Sequence, residues 1–326
     1  MKNVGIISVG HYLPEKRLTN FDLEKMVDTS DEWITSRTGI KERRIAAKGE
    51  KTSHLATLAA QEAIQNAHLK PEHIDLIIVA TVSPDSNFPS MACLVQKAIG
   101  AHHAACFDLS AACAGFLYAL TTGKQFIQSG FYKHVLVIAA ERITSLIDWK
   151  DRNTCVLFGD GAGACILAPV EKDRGIISEY LHSQGEFGNL MEVVVDDVHS
   201  PLSQGERYTK IPYVVMQGKE LFKIAVNSMA EAVEKAIKNA HIKVSDIDCV
   251  IPHQANDRII TAVAKKLEIP EVKIFVNIHR YGNMSAASIA VALYEAADEK
   301  RIKRGDTVVL VAFGAGLVSA ANIVVW

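Results

Sequence analysis

The sequence lacks the features that mark several large classes of protein. It contains no uncharged apolar run of the roughly 18–20 residues that cross a bilayer, and the segment Met1–Ile6 begins a strand without the apolar core of a signal peptide. The formal net charge is −2, so charge does not favour nucleic-acid binding. The six cysteines (93, 106, 113, 155, 165 and 249) form no CxxC pair and have no histidine at zinc-like spacing. We therefore expect a cytoplasmic enzyme with reduced thiols and no structural metal.

The residues that are present favour a large apolar core. Of the 326 residues, 49% are hydrophobic and 22% are charged, which is typical of a globular protein with one large or two ordinary domains. The runs Leu76–Ala80, Val135–Ala139 and Val308–Ala312 are apolar at almost every position. Strands buried on both faces have this pattern, so we expect helices to cover both faces of each sheet.

The chain repeats part of its own sequence. The segment Ala63–Lys70 is echoed by Ala236–Lys243, 173 residues later, and the echo continues from Ile74 to Ile247 at the same offset. This length of repeat predicts two homologous α/β halves and not a solenoid, whose repeats are much shorter. We place the boundary near residues 170–175, which gives halves of 1–172 and 173–326.

The segment Phe107–Leu120 places Cys113 where an apolar strand gives way to an Ala- and Leu-rich helix. Small neighbours leave room for a substrate, and the start of a helix favours thiolate over thiol. Such a cysteine suits thioester chemistry. The alternative is a buried cysteine that packs as a small hydrophobic residue.

Two further segments carry residues suited to the same chemistry. His253 follows the apolar run Ile247–Ile251, and Asn283 lies in Tyr281–Ser288, which resembles the small-residue surroundings of Cys113. Together the three side chains provide a nucleophile and two hydrogen-bond donors. Each residue alone is weak evidence for an active site, since a lone histidine is usually structural and a Gly-Asn pair is usually a turn.

These segments resemble the β-ketoacyl-acyl-carrier-protein synthase III family nearly from end to end. The matching motifs are the sequences around Cys113, His253 and Asn283, together with Thr29–Ile34, Arg37–Ile40, Phe158–Ala164 and Ala312–Gly316. The resemblance implies a thiolase-like α/β fold of five layers, αβαβα, built from two duplicated halves. It also implies that Cys113, His253 and Asn283 form the catalytic triad.

The resemblance implies a reaction in two stages that needs neither a metal nor another cofactor. In the first stage, an acyl group moves from acyl-CoA to Cys113. In the second stage, malonyl-acyl carrier protein loses carbon dioxide and attacks the acyl group on Cys113. The product is a 3-oxoacyl-acyl carrier protein, which initiates fatty-acid synthesis. The backbone N–H groups of Cys113 and Ala315 are expected to form one oxyanion hole. His253 and Asn283 are expected to donate to the malonyl oxygen.

The resemblance also implies three groups of contact residues. Coenzyme A is expected to contact Thr29, Trp33, Arg37, Arg152, Gly218, Phe222 and Asn256. The acyl pocket is expected to include Phe88, Ile143, Phe158 and Phe313, with Phe88 reaching the partner subunit of a homodimer. The acidic carrier protein is expected to dock on Lys223, Arg258, Lys265 and Lys266, with Arg258 and Lys265 on one helix face outside the substrate tunnel.

Two positions depart from the usual family pattern, and other functions stay open. Met284 replaces the usual Thr, and Val318–Ala320 replaces Thr-Trp-Gly. We expect both changes near the floor of the active site, and their effect on the fit of the acyl chain stays open. The starter acyl group and the pathway stay open, because condensing enzymes of quinolone and polyketide synthesis have the same triad. A cysteine thioester hydrolase and a non-catalytic acyl-binding protein are the remaining alternatives.

Overall fold

Two large β-sheets form the centre of the computed structural model, which describes residues 2–193 and 213–326. The strands are β1 (Val4–Tyr12), β2 (Arg17–Thr19), β3 (Glu42–Arg44), β4 (Leu76–Ala80), β5 (Ala105–Leu109), β6 (Val135–Glu141), β7 (Gly161–Pro169), β8 (Gly175–Ser183), β9 (Met191–Val193), β10 (Val214–Met216), β11 (Cys249–Pro252), β12 (Thr307–Gly314) and β13 (Val318–Val325). The helices are α1 (Asn20–Leu23), α2 (Asp31–Thr38), α3 (Thr52–Asn66), α4 (Met91–Ile99), α5 (Gly115–Gln128), α6 (Gly218–Ala240), α7 (Asp257–Lys266), α8 (Ile278–Tyr281) and α9 (Ala287–Asp298).

Each large sheet is built from one part of the chain. The first has the order β1-β7-β6-β4-β5, with β6, β4 and β5 parallel, and the second has the order β11-β12-β13-β8, with β11 and β12 parallel. The first sheet uses residues between 4 and 169, and the second uses residues between 175 and 325. On this ground we propose that the boundary between the halves lies between residues 172 and 173.

Helices cover both sheets, as the apolar strands predict. Helices α5 and α9 pack between the two sheets in one apolar cluster that contains residues of both. Helices α3 and α4 cover the outer face of the first sheet, and α6 and α7 cover the outer face of the second. The result is the five-layered αβαβα order.

The two halves repeat each other in backbone conformation as well as in sequence. His68 and His241, which are equivalent by the repeat, both have positive φ angles of 53° and 56°. Ala112 before α5 and Ser285 before α9 are also equivalent, with φ angles of 44° and 48°. A non-glycine residue in this left-handed region is uncommon. Both central helices therefore begin from the same sharp turn.

The parallel strands bring several chain segments to one edge. The C-terminal ends of β4, β5 and β6 lead to residues 81–83, to the turn before Cys113 and to Glu141. In the second sheet, the C-terminal ends of β11 and β12 lead to His253 and to the turn after Gly314. Loops at the carboxyl ends of parallel strands are the usual place for a site in an α/β fold.

Candidate active site

Cys113 lies in a single 3-10 turn, Ala112–Ala114, directly before α5. Only 5% of the residue is exposed, and its Sγ lies 3.4 Å from Ser285 Oγ. Burial raises the pKa of the Cys113 thiol to about 12. Desolvation of the buried sulfur therefore opposes the thiolate form that the start of α5 favours.

The thiol opens on a mainly apolar cavity of about 450 Å³. Ile143 and Phe158 line it, and Ala315 lies on it together with Cys113. The remaining lining residues are Val82, Ser110, Ala111, Ala112, Gly188, Met191, Glu192, Val193, Val214, Ser285, Gly316 and Val318. The cavity can hold a small apolar group against the sulfur.

The turn after β12 packs tightly against the backbone of Cys113. A Cβ atom added to Gly314 would lie 2.7 Å from the Cys113 backbone nitrogen, closer than real Cβ atoms approach. Only glycine permits this contact. It places the neighbouring residue Ala315 on the same cavity as the thiol.

Asn283 is held between two loops that fit closely together. Its backbone N–H donates to Leu157 O (2.8 Å), and its carbonyl accepts from Gly159 N (3.0 Å). The Asn283 side-chain oxygen accepts from Ser285 N (2.8 Å). Because this oxygen is occupied, the NH₂ group is the end left to donate to a ligand.

His253 follows β11 and is almost completely buried, with 1% of the residue exposed. Its backbone N–H donates to Val311 O on β12 (2.7 Å). Burial lowers the pKa of His253 to about 3, so the imidazole is neutral at physiological pH. Its Nδ1 has no hydrogen-bond partner among residues 2–193 and 213–326, which leaves no carboxylate in that part of the chain to orient the ring.

A second, larger cavity of about 960 Å³ shares the lining residue Val214 with the first. Seven of the predicted contact residues line it: Trp33, Arg37, Gly218, Phe222, Lys223, Asn256 and Arg258. The guanidinium groups of Arg37 and Arg152 lie 4.9 and 4.7 Å from the centre of the Trp33 ring. The Thr29 hydroxyl is buried and makes no hydrogen bond within the described residues.

The predicted docking residues are exposed but do not all lie outside the cavities. Lys223 and Arg258 line the larger cavity, so the expectation that Arg258 lies outside it is wrong. Lys265 and Lys266 are exposed at the last turn of α7, where Lys266 Nζ donates to Asn227 Oδ1 (2.6 Å). The basic face therefore runs from the cavity mouth along α7.

Two predicted pocket residues lie away from the cavity of their own chain. Phe313 packs in the core cluster beneath α6 and is not among the residues that line the cavity. Phe88 is 85% exposed. Neither side chain contacts an acyl group bound beside Cys113 within one subunit.

Comparison with known proteins identifies the family. Residues 107–185 match the family described as 3-oxoacyl-[acyl-carrier-protein] synthase III, and residues 237–326 match its C-terminal part. A β-ketoacyl-[acyl-carrier-protein] synthase III of Caldanaerobacter subterraneus subsp. tengcongensis is 51% identical over 322 residues, which cover 99% of this chain and 97% of the relative. The chain belongs to the β-ketoacyl-acyl-carrier-protein synthase III family.

Solved structures agree with this assignment. The crystal structure of 3-oxoacyl-[acyl-carrier-protein] synthase III from Aquifex aeolicus has a TM-score of 0.93 and 49% identity, covering 99% of this chain and 100% of that chain. The priming β-ketosynthase of a polyketide biosynthetic pathway has a TM-score of 0.92 and 34% identity, covering 99% and 96%. The predictions of the family, the thiolase-like fold and a condensing acyltransferase are confirmed.

The family condenses an acyl-CoA with malonyl-acyl carrier protein at the start of fatty-acid synthesis, and the chain has this activity. No cluster of His, Cys, Asp and Glu suited to a metal ion occurs in the described parts of the chain. None of the helices in those parts is long and apolar enough to cross a membrane.

The two departures from the synthase III pattern have different positions. Met284 is buried beside Tyr281, Ala287 and Val291, and a Cβ atom on Gly161 would lie 2.6 Å from its sulfur. Met284 is not among the residues that line the cavity. Val318 does line the cavity, as expected for the second departure.

Glu141 is a buried carboxyl close to the thiol and was not among the site residues predicted from the sequence. It ends β6 and accepts hydrogen bonds from Ser83 Oγ (2.5 Å) and Val82 N (3.2 Å). Burial raises the pKa of Glu141 to about 7. The available signal was an acidic residue directly after an apolar parallel strand, at the edge where Cys113 follows β5.

Proposed function

We propose that the chain performs its condensation through an acyl-Cys113 intermediate. The observation that carries this proposal is the position of the sulfur: it lies at an apolar cavity that shares Val214 with the larger cavity beside Trp33. An acyl group in the first cavity can therefore remain linked to a long carrier that occupies the second. Acyl transfer to a thiol needs this combination of a desolvated nucleophile and an anchored leaving group.

The oxyanion of the first stage is stabilised by the backbone N–H groups of Cys113 and Ala315. The contact of Gly314 with the Cys113 nitrogen supports this role, because it brings the two turns together at the thiol. Backbone donors fixed by close packing need no rearrangement when charge develops. The side chain of residue 315 has no part in this role.

The second stage uses His253 and Asn283 as donors to the malonyl thioester oxygen. A neutral imidazole can donate from Nε2, and burial keeps His253 neutral by lowering its pKa. Asn283 is already oriented by the bond from Ser285 N to its Oδ1, so its NH₂ group donates. Both donors stabilise the enolate that forms when carbon dioxide leaves.

Coenzyme A binds in the larger cavity with its adenine near Trp33. Arg152 lies over the Trp33 ring and also donates to Asp28 O (2.7 Å). A base inserted between indole and guanidinium stacks on both planes, once Arg152 moves outward by about one ring thickness, roughly 3.5 Å. Thr29 hydrogen-bonds the base, Arg37 binds phosphate, and Gly218, Phe222 and Asn256 contact the pantetheine arm.

The carrier protein docks at the basic face formed by Lys223, Arg258, Lys265 and Lys266. Its position next to the larger cavity supports this proposal, since the pantetheine arm of the carrier must enter there. Positive charge around the entrance speeds the association of an acidic partner.

The chain forms a homodimer to which each subunit contributes Phe88. This side chain is 85% exposed, and β5 is an edge strand of the first sheet, so both an apolar side chain and backbone hydrogen bonds are available to a second copy. The reaction takes place in the cytoplasm, where free cysteines such as those of this chain stay reduced. No metal or further cofactor takes part.

Mass spectrometry of the intact protein after exposure to acetyl-, branched and longer acyl-CoA tests this mechanism. We expect one acyl group on Cys113 and none on Cys113→Ser, because no strong base activates a hydroxyl there. The acyl group captured fastest identifies the starter. A folded Cys113→Ser protein that is acylated normally would remove Cys113 from the nucleophile role.

Product analysis with malonyl-acyl carrier protein tests the fate of the proposed acyl-Cys113 intermediate. A 3-oxoacyl-carrier product indicates that the intermediate is condensed, whereas free acid plus coenzyme A indicates that it is lost by hydrolysis.

A further inference from the structure

Gln254, the residue directly after the buried histidine of the site, has no part in the mechanism above. It is 0% exposed, and both ends of its side-chain amide are hydrogen-bonded. Its Nε2 donates to Pro252 O (2.8 Å) and to Phe275 O (3.3 Å). Its Oε1 accepts from Asn277 N (2.9 Å) and from Ile278 N (3.1 Å). The side chain therefore spends all of its hydrogen-bonding capacity on the backbone, which offsets the cost of burying it.

These hydrogen bonds join two chain segments that lead to different donors of the second stage. Residues 252–254 follow β11 and contain His253, whereas residues 275–278 lead into α8 and, through it, to Asn283. We call the amide of Gln254 and its backbone partners the Gln254 bridge. The bridge ties the segment of one donor to the segment of the other.

The connection from the bridge to Asn283 is short. Helix α8 is a single turn in which Ile278 N donates to Gln254 Oε1 and Ile278 O accepts from Gly282 N (2.9 Å). Gly282 directly precedes Asn283. Asn277, the residue before α8, does not cap the turn with its own side chain. Gln254 accepts from the N–H groups that a helix start leaves unpaired, and it thereby fixes the turn that ends at Asn283.

The other side of α8 is anchored on α9. Glu295 of α9 accepts from Asn277 Nδ2 (2.7 Å), from Tyr281 Oη (2.5 Å) and from Arg280 Nη2 (2.8 Å). Because these bonds do not involve Gln254, they remain when its side chain is replaced. We therefore expect such a replacement to let α8 shift relative to the histidine while the turn itself stays formed.

The direction of the His253 ring depends on the backbone of its loop. Its N–H donates to Val311 O (2.7 Å), and its carbonyl accepts from Ala255 N (2.9 Å). Its Nδ1 has no hydrogen-bond partner in the described parts of the chain, so no side chain there orients the imidazole through that atom. The position of Nε2 therefore follows the position of the loop, which the Gln254 bridge ties to residues 275–278.

We propose that Gln254 is a positioning residue for the second stage: it holds His253 and Asn283 where both can donate to one malonyl thioester oxygen. The inference rests on the proposed roles of those two donors. Two donors stabilise one oxyanion only if their relative position is fixed, and a displacement of about 1 Å costs on the order of 100-fold in rate. The turn of Cys113 is packed against Gly314 and not against the bridge, so the first stage does not depend on Gln254.

The test compares Gln254→Met with Gln254→Glu and uses Asn322→Leu as the matched control. Methionine is unbranched and close to glutamine in size, but it makes none of the hydrogen bonds of the bridge. Asn322 is another fully buried amide, whose Nδ2 donates to Thr121 Oγ1 (3.0 Å) between β13 and α5, outside the bridge. Leucine at this position removes an amide of comparable burial without touching either donor segment.

Two rates are measured separately for each protein. The first is the single-turnover rate of acylation by acetyl-CoA, followed by intact mass. The second is the release of labelled carbon dioxide from malonyl-acyl carrier protein by the preformed acyl-enzyme, measured over a range of carrier concentrations so that kcat and KM are obtained. The melting temperature reports on folding.

We expect Gln254→Met to slow carbon dioxide release by about 100-fold while acylation stays within about threefold of the wild type. The loss should appear in kcat and not in the KM for the carrier, because the donors act on charge that exists only in the transition state. A merely structural role would lower the melting temperature and both rates together. Asn322→Leu should keep both rates within about threefold of the wild type.

Gln254→Glu separates hydrogen bonding from packing. A protonated carboxyl still accepts from Asn277 N and Ile278 N and donates to Pro252 O, whereas a carboxylate has no proton to donate. Burial favours the protonated form of such a carboxyl. At pH 6 the Glu variant should therefore release carbon dioxide at least about tenfold faster than Gln254→Met, a difference that corresponds to one or two hydrogen bonds.

Wild-type release of carbon dioxide by Gln254→Met, or equal losses of its two rates, would overturn the inference. A Glu variant no faster than the Met variant at pH 6 would overturn it too, as would an equal second-stage loss in Asn322→Leu. If Gln254→Met does not fold, the comparison of the two rates in Gln254→Glu decides. If His253→Ala and Asn283→Ala both release carbon dioxide at the wild-type rate, the proposed function fails, a result distinct from failure of the bridge alone.

Discussion

Replacing Gly314 by alanine tests how finely the backbone donors are placed around the thiol. The new Cβ atom would lie 2.7 Å from Cys113 N, 3.1 Å from Ala112 Cβ and 3.2 Å from Ala114 N, whereas ordinary contacts begin at 3.4 Å. All three neighbours belong to the turn that carries the nucleophile, so the turn must move by about 0.7 Å to relieve the closest contact. A displacement of about 1 Å costs on the order of 100-fold in rate. We therefore expect acylation by acyl-CoA to slow by about 10- to 100-fold.

Rapid-quench measurement of acylation, with the melting temperature as a second readout, checks this prediction. Overpacking of this kind destabilises a core by about 1–3 kcal/mol, so the variant should melt at a lower temperature and remain folded. Gly185→Ala is the matched control, because its new Cβ atom meets nothing within 4 Å. A folded Gly314→Ala protein that acylates at the wild-type rate would refute the placement of the oxyanion hole between Cys113 N and Ala315 N.

Three further predictions concern other parts of the molecule. Asn283→Ala should slow malonyl decarboxylation by about 100- to 1,000-fold, and acylation much less, because charge on the malonyl oxygen arises only in the second stage; equal losses in separate half-reaction assays would contradict this. Lys265→Glu with Lys266→Glu should lower the carrier-dependent rate and its salt dependence but spare acylation by acyl-CoA, and an unchanged carrier rate would move the docking site elsewhere. Burial raises the pKa of Glu141 from 4.5 to about 7, so its stabilisation of the fold is complete below pH 4.5 and is lost as the pH rises through 7. The melting temperature of Glu141→Gln should therefore rise relative to that of the wild type between pH 5 and pH 8. A melting-temperature difference that is the same at both pH values would contradict this effect of burial.

The layers and the segments proposed to be catalytic could be predicted because they leave strong sequence signals. Strands apolar on both faces require helices on both sides, and the offset repeat required two similar halves. Cys113 and His253 each follow the end of an apolar strand, as expected, whereas Asn283 follows the short helix α8 and not a strand. Parallel pairing of β4, β5 and β6 and of β11 and β12 then brings such ends to common edges.

Side-chain direction was the part that the sequence could not determine. Met284 and Ser285 are neighbours in the same loop, yet Met284 packs under Gly161 and Ser285 contacts the thiol. The left-handed backbone at Ser285 separates their directions, and no periodicity predicts such a residue. Glu141 was missed for a related reason, since its partners Ser83 and Val82 come from a different strand end.

The equivalent turns before α5 and α9 make the central layer a spacer that sets the distance between the thiol and a neighbouring hydroxyl. One turn presents the sulfur of Cys113, and the other presents the hydroxyl of Ser285. A Cβ atom on Gly115, at the start of α5, would lie 3.6 Å from Ala286 Cβ and 3.1 Å from Ala80 Cβ. The small residues at this crossing therefore determine how closely α5 and α9 approach each other. A bulkier side chain would push the helices apart and lengthen the distance from Cys113 Sγ to Ser285 Oγ without contacting either atom.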